Sequence, residues 1–295
     1  MKKKIIILSI CCLIGILSTI LSGCTMVKES DKSFNIVTSF YPIYIMTDNI
    51  VQDAENVKLS NMTDTNVGCL HNYTLQPTDL KKVQNANVFI ENGLEIESFH
   101  DRLIKFFNNL YVIDSSKNIS NLIKDDEEIN GHTWTSIENY IKQVEKIKDE
   151  LKEKNPENSQ IYEKNAQEYK NKLLSLKERY NQELSELKGK KVVSLNESFA
   201  YLLRDLQLDV TQIHTDHEES TISAEKLKTI IQKMKQDDIR IIIIDKNDDE
   251  KNAQTLKNET GAIIYKLDSG LTGNLDKNAY IETMLHNLEI LKQMI

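Results

Sequence analysis

"NPENSQIYEKNAQEYKNKLLSLKERYNQELSELKGK", residues 155–190, decides how the rest of the chain is interpreted. Pro156 stands where a helix could begin, because proline is favoured in the first helical turn. The residues that follow are rich in Lys, Glu, Gln and Leu, and they predict one helix of about 30 residues and ~45 Å. The apolar positions do not hold a heptad, which argues against a coiled coil. We therefore expect residues 156–188 to form a rigid connector between two lobes.

Strand-like and helix-like patterns alternate on both sides of this connector. Alternation at this spacing predicts βαβ units around a mostly parallel sheet. The expected fold class is α/β, with two lobes that each contain a mostly parallel sheet flanked by helices, joined by one long helix. The predicted strands are 34–40, 56–60, 87–93, 110–114, 191–195, 209–213, 240–245 and 262–267. The predicted domains are an N-terminal lobe at 34–155, the connecting helix at 156–188 and a C-terminal lobe at 189–295.

The first 24 residues, "MKKKIIILSICCLIGILSTILSGC", combine a basic run with an apolar stretch that ends in small residues. This pattern is typical of a secretory signal, and a membrane-spanning anchor is the alternative. "LSGC" resembles a bacterial lipobox, which predicts cleavage after residues 1–23 and a diacylglyceryl group on the sulfur of Cys24. Residues 24–33 would then be a lipidated tether. The expected location is the extracytoplasmic face of the bacterial cell membrane, with the protein held there by its lipid.

The net charge and the cysteine count limit the kinds of partner that the protein can have. The formal net charge is −8 and 40% of the residues are hydrophobic, which indicates a soluble, acidic body with sizeable cores. Loss of residues 1–23 would remove three lysines and no acids, so the mature chain would be more acidic still. An acidic protein is a poor candidate for binding nucleic acid, and we expect no such partner. Cys69 would be the one cysteine left besides Cys24, so we expect a plain free thiol, with metal contact as the less favoured alternative.

Polar side chains follow several of the predicted strands. In open α/β sheets, ligands bind beyond the carboxyl ends of the strands. The second strand leads into the loop of His71, and the fourth leads to His132. In the second half, one strand ends at Asn196 and Glu197, and another runs directly into Asp268. Imidazole with carboxylate suits Zn²⁺ or, with more oxygen, Mn²⁺. A loop histidine or an aspartate after a strand can also be an ordinary turn or capping residue, so only their convergence favours a metal site.

The sequence also resembles a known family, the cluster A-I metal-binding lipoproteins of ABC importers for zinc and manganese. The resemblance covers essentially the whole mature chain, with the motifs in the family's order. They are "TSFYPIYIMTDNI" (38–50), "HNYTLQPTDLKKVQNANVFIENGLEIESF" (71–99), "NGHTW" (130–134), "NPENSQIYEKNAQEYKNKLLSL" (155–176) and "LDSGLTGNLDKNAYIETMLHNLEIL" (267–291).

The resemblance implies a binding protein and not an enzyme. A divalent cation would be held between the lobes by His71 and His132 on one side, and by Asp268 with the 196–197 region on the other. Zn²⁺ is the expected metal and Mn²⁺ the alternative. The expected partners are the permease and ATPase of an ABC transporter, and the protein is expected to be a monomer. Since imidazoles must be neutral to bind, affinity should fall as the pH drops through ~6.

This chain departs from the family pattern at three places. The third ligand, commonly His or Glu, should lie three residues before Phe199, but that residue is Asn196. Asn196 itself, Glu197 or a water could complete the site. Gly131 stands where the second-ligand motif commonly has proline. "KDDEE" (124–128) replaces the histidine-rich run of some zinc-binding relatives, and we expect a solvated acidic turn there.

Some features of the sequence suggest functions other than metal import. "IHTDHEES" (213–220) holds His214, Asp216 and His217. His217 with Glu218 begins like the zincin motif H-E-x-x-H, but Thr221 stands in place of the second histidine. We expect a surface loop there, with an accessory metal site as the alternative. His100 and His286 are expected to be packing or surface residues. A surface zinc hydrolase is disfavoured, because the sequence contains neither a nucleophile motif nor a complete zincin motif. A surface adhesin or scaffold with a weakened metal site is the remaining alternative.

Overall fold

Two parallel sheets dominate the computed structural model, which describes residues 33–125, 128–213 and 222–295. The strands of these described ranges are β1 (Phe34–Thr38), β2 (Val57–Asn61), β3 (Val88–Glu91), β4 (Tyr111–Asp114), β5 (Lys124–Asp125), β6 (Glu128–Ile129), β7 (Lys191–Ser194), β8 (Asp209–Gln212), β9 (Ile241–Asp245) and β10 (Ile263–Leu267). The first sheet has the order β2-β1-β3-β4 and the second the order β10-β9-β7-β8, and all of their strand pairs are parallel. Read in chain order, the two sheets therefore have the same topology, although no internal sequence repeat is visible.

Helices connect and cover these strands. The α-helices of the described ranges are α1 (Tyr41–Val51), α2 (Pro77–Val83), α3 (His100–Phe106), α4 (Ile137–Lys154), α5 (Ser159–Glu183), α6 (Ala200–Asp205), α7 (Ala224–Gln236), α8 (Lys251–Thr260) and α9 (Ala279–Lys292). The predicted fold class is thus confirmed, because both sheets are parallel and flanked by helices. The predicted strands all correspond to observed ones. The antiparallel pair β5–β6 lies in the acidic stretch and was not predicted, since two-residue strands have no hydrophobic periodicity.

The long connecting helix is α5. Pro156 opens a short 3-10 turn, Pro156–Asn158, and α5 begins directly after it. Its buried side chains recur at helical spacing, so that one face packs against α1, α4 and α9. These buried residues are Tyr162, Ala166, Tyr169, Leu173, Leu176 and Tyr180. The helix is shorter than the predicted 30 residues, because after Glu183 the chain tightens into the 3-10 turn Ser185–Leu187 and buries Leu187.

The two lobes pack into one unit over Phe34–Ile295. Trp134 lies at their junction with its side chain fully buried. Its Nε1 donates a hydrogen bond to the Ser269 carbonyl at 2.9 Å, and its own carbonyl accepts from the Tyr280 hydroxyl at 3.0 Å. The Tyr280 ring in turn stacks on Tyr140, with ring centres 3.5 Å apart. Aromatic burial and direct hydrogen bonds therefore link the lobes beside the connector.

Some predictions lie outside the described residues. These are the signal peptide, the lipidated Cys24, most of the tether, and the loop of His214, Asp216 and His217. Within the described ranges, no helix combines the length and apolar character that crossing a membrane requires.

Candidate metal centre

A cleft of about 730 Å³ opens between the lobes at the carboxyl ends of the strands. This volume lies within the range of roughly 300–1,000 Å³ that is usual for small-ligand sites. The first lobe lines the cleft with Cys69, His71 and His132, and the second lines it with Asn196, Glu197 and Asp248, among others. The cleft therefore contains four of the five predicted metal ligands.

His132 is held in a defined orientation. It precedes the 3-10 turn Thr133–Thr135 and is only 2% exposed. Its Nδ1 lies 3.0 Å from the side-chain oxygen of Asn130, which also accepts a hydrogen bond from the His132 backbone N–H. Because an amide oxygen can only accept, this contact favours the tautomer with the ring hydrogen on Nδ1 and the lone pair on Nε2. Nε2 lies 3.6 Å from Cys69 Sγ. An imidazole oriented in this way is typical of a metal ligand.

His71 lies in the loop between β2 and α2. The loop is fixed by the start of α2, where Pro77 is in the first helical turn, as expected, and Gln76 and Asp79 form a capping box. Tyr73 also donates a hydrogen bond to the Asp79 carboxylate at 2.7 Å. In this loop the centre of the His71 ring lies 5.3 Å from the centre of the His132 ring.

Cys69 completes a cluster with the two histidines. Its Sγ lies 2.8 Å from His71 Nδ1. One possible ligand atom from each of Cys69, His71 and His132 lies within 4.8 Å of the other two. Within the described ranges, no other set of three or more Cys, His, Asp and Glu side chains lies this close together. Burial raises the pKa of the Cys69 thiol to about 11, and the nearby charge of Glu197 adds to this. Cys69 is a free cysteine, as its sequence context favoured. The C-x-H spacing of Cys69 and His71 was the signal that could have indicated the cluster.

The second-lobe residues have other partners. The Asn196 amide donates to the Asp248 carboxylate at 3.0 Å, while its oxygen accepts from the Ser198 backbone N–H at 2.9 Å and caps the turn Glu197–Phe199. The Asp268 carboxylate is 9% exposed and pairs with Lys246 Nζ at 2.6 Å. Asp268 and Glu197 are thus not part of the Cys–His–His cluster. The assignment of Asn196, Glu197 and Asp268 as metal ligands stays a prediction.

Gly131 is required by a close backbone approach. A Cβ at this position would lie 2.7 Å from the Leu94 carbonyl oxygen and 2.6 Å from Ile96 Cγ1. The Gly131→Ala variant is expected to lower the free energy of unfolding by about 1–3 kcal/mol through overpacking. It should also displace His132 and weaken metal binding. Urea denaturation followed by far-UV circular dichroism measures the first effect, and unchanged stability would show that the Leu94 segment yields easily.

Asn130 positions His132 and also bridges the lobes, since its amide donates to the Glu197 carbonyl at 3.0 Å. The Asn130→Ala variant is expected to bind metal about 10- to 100-fold more weakly, which is the usual effect of losing a partner of a ligating histidine. The exposed Asn121 is the matched control, and Asn121→Ala should leave the affinity unchanged. Equal affinities of both variants in a metal titration would contradict this role of Asn130.

Comparison with known proteins finds chains that are named for metal uptake or metal binding. A profile of the zinc-uptake complex component A family, ZnuA, matches residues 36–294. The zinc-binding lipoprotein AdcA of Streptococcus pneumoniae is 30% identical over 315 aligned positions; the alignment covers 99% of this chain and 61% of AdcA, so the chain spans about three fifths of that relative. The manganese-binding lipoprotein MntA of Halalkalibacterium halodurans is 26% identical, with 94% of each chain covered.

A solved structure shows the same fold. The substrate-binding protein FpvC from Pseudomonas aeruginosa, in complex with Ni²⁺, superimposes with a TM-score of 0.81 at 26% identity, covering 90% of this chain and 97% of FpvC. The resemblance noted from the motifs is confirmed by the profile, which matches nearly the whole described chain. The chain belongs to the zinc-uptake complex component A family.

Proposed function

We propose that the protein is an extracytoplasmic substrate-binding lipoprotein of an ABC importer. It would capture a divalent transition metal between its lobes and deliver the ion to the permease. The observation that carries this proposal is the pair of imidazoles, His71 and His132, whose ring centres lie 5.3 Å apart in the cleft between the lobes. The metal is the cargo, and the role is binding without catalysis.

Zn²⁺ is the proposed cargo and Mn²⁺ the alternative. Neutral nitrogen donors suit Zn²⁺ better, and the general affinity order of divalent metals also places Zn²⁺ above Mn²⁺. The relatives' names support both ions, since AdcA is called zinc-binding and MntA manganese-binding. Anchoring through the lipid on Cys24, action as a monomer and transfer to a permease with its ATPase complete the proposal.

Capture of the ion by the second lobe requires Asp268 to leave Lys246. We expect the Lys246→Gln variant to bind Zn²⁺ about 2- to 5-fold more tightly, because an ion pair with an exposed lysine contributes about 1 kcal/mol at most. Lys266→Gln breaks a surface pair with Glu250 and is the matched control, with no expected change. Competition titration with a zinc-binding dye measures both affinities. Weaker binding by Lys246→Gln would contradict the idea that Lys246 competes with the metal for the Asp268 carboxylate.

The test of the whole proposal is a titration of the metal-stripped protein with Zn²⁺ and Mn²⁺. Bound metal is counted by mass, and the fluorescence of Trp134 is followed, since its ring lies 5.2 Å from the His132 ring. One tight equivalent, with Zn²⁺ bound more tightly than Mn²⁺, is the expected result. If the folded protein binds neither metal tightly, the importer function is rejected and the adhesin or scaffold function is favoured.

A further inference from the structure

We propose that Cys69 is itself a metal ligand, so that the first lobe presents a thiolate and two imidazoles to the cation. This inference rests on the proposed function and specifies the chemistry of the same cleft. It selects borderline and soft divalent cations, Zn²⁺ above all, and disfavours Mn²⁺, which prefers oxygen ligands.

The distances within the cluster suit one small ion. Zn–S bonds of about 2.3 Å and Zn–N bonds of about 2.0–2.1 Å at tetrahedral angles place the donor atoms roughly 3.3–3.6 Å apart. The separation between Cys69 Sγ and His132 Nε2 is 3.6 Å and already has this value. Cys69 Sγ and His71 Nδ1 lie 2.8 Å apart, so these two side chains would separate by less than about 1 Å to admit the ion.

The hydrogen bonds of Asn196 in the second lobe also favour Cys69 as a ligand. Both polar atoms of the Asn196 amide are hydrogen-bonded, the nitrogen to Asp248 and the oxygen to the Ser198 N–H. Asn196 would have to give up the cap of the turn Glu197–Phe199 before its oxygen could reach an ion. Cys69 would exchange only its 2.8 Å contact with His71 Nδ1 for a bond to the ion, and its sulfur already lies 3.6 Å from His132 Nε2. The thiolate thereby provides the third donor that a neutral amide provides poorly.

Binding of the metal by Cys69 requires no oxidant, reductant or other reactant. The thiol loses its proton to solvent as the sulfur–metal bond forms, and neither the sulfur nor the metal changes oxidation state. With a thiolate and two neutral imidazoles, the loaded cluster keeps one net positive charge. Glu197 lines the same cleft and would face this charge from the other lobe.

Co²⁺ is the probe that separates this site from one without sulfur. In the metal-stripped protein, Co²⁺ should produce a near-ultraviolet sulfur-to-cobalt charge-transfer band together with the visible bands of tetrahedral cobalt. The Cys69→Ser variant should lose the charge-transfer band, bind Zn²⁺ at least about 10-fold more weakly, and discriminate less between Zn²⁺ and Mn²⁺. In the wild-type protein, Zn²⁺ should also protect Cys69 from alkylation by iodoacetamide, with Cys69→Ser as the blank. Circular dichroism checks that the variant is folded, and Cys69→Ala provides a second variant.

The outcomes of this inference and of the proposed function are distinct. If wild-type protein binds one Zn²⁺ that is lost in His71→Ala, yet shows no charge-transfer band and keeps its affinity in the Cys69 variants, the thiolate ligand is overturned and the metal-binding function stands. If folded wild-type protein binds no metal, the proposed function fails and the inference fails with it.

Discussion

Replacing His71 with alanine is expected to weaken Zn²⁺ binding by more than about 100-fold. Loss of a partner that merely orients a ligating histidine costs about 10- to 100-fold, so loss of a ligand itself should cost more. The residue lies in a half-buried loop that is fixed by the capping box of α2, so the fold should survive. Competition titration of the metal-stripped variant measures the affinity, and circular dichroism verifies the fold.

His286 provides the matched control, because it is an exposed histidine on α9 and is not among the residues that line the cleft. His286→Ala should bind Zn²⁺ like the wild type. Retention of wild-type affinity by His71→Ala would remove this residue from the site and leave the metal to other donors. A similar loss in both variants would mean that the titration reports nonspecific binding to histidines.

Replacing Trp134 with alanine is expected to lower the free energy of unfolding by about 3–5 kcal/mol, the usual effect of emptying a buried aromatic site. The side chain is fully buried against Phe40 and His132, and its removal also leaves the Ser269 carbonyl without its donor. Urea denaturation is followed by far-UV circular dichroism, because the variant lacks the one tryptophan of the chain.

Phe106 is the control for this measurement, since it is also a large aromatic residue but is 62% exposed. Phe106→Ala should change stability by no more than about 0.5 kcal/mol, as is usual for surface substitutions. A comparable effect of the two substitutions would show that Trp134 does not hold the lobes together. Trp134→Phe should lie between Trp134→Ala and the wild type, because it keeps part of the packing and loses the hydrogen bond.

The parallel strands were predictable because fully buried strands form short apolar runs. "RIIIID" around β9 is such a run, and its residues Ile242–Ile244 are buried. The end of α5 was less predictable, since Leu184 and Leu187 continue the apolar pattern of the helix while the backbone tightens into a 3-10 turn. Local pattern therefore located the elements well, and tertiary packing decided where they end.

The candidate site was predictable only in part. His71 and His132 follow strand ends, which is a topological argument, and the structure brings their rings together. The same argument selected Asp268, but it could not show that the carboxylate pairs with Lys246, 22 residues earlier in the sequence. It could not show either that the Asn196 amide bonds to Asp248. Such pairs depend on side-chain directions in loops, which sequence spacing does not determine.

The sequence by itself determined the α/β class, the two lobes with their long helix, and the family, because hydrophobic periodicity and ordered motifs are local properties of the chain. The tertiary structure alone decided how the polar side chains of the cleft are arranged and paired. It placed the Cys69 sulfur between two imidazoles that are 61 residues apart in sequence, His71 and His132, and it engaged Asn196 and Asp268 with other partners. The physical reason is that coordination depends on distances of a few ångströms between side-chain atoms, and only the packed loops define those distances.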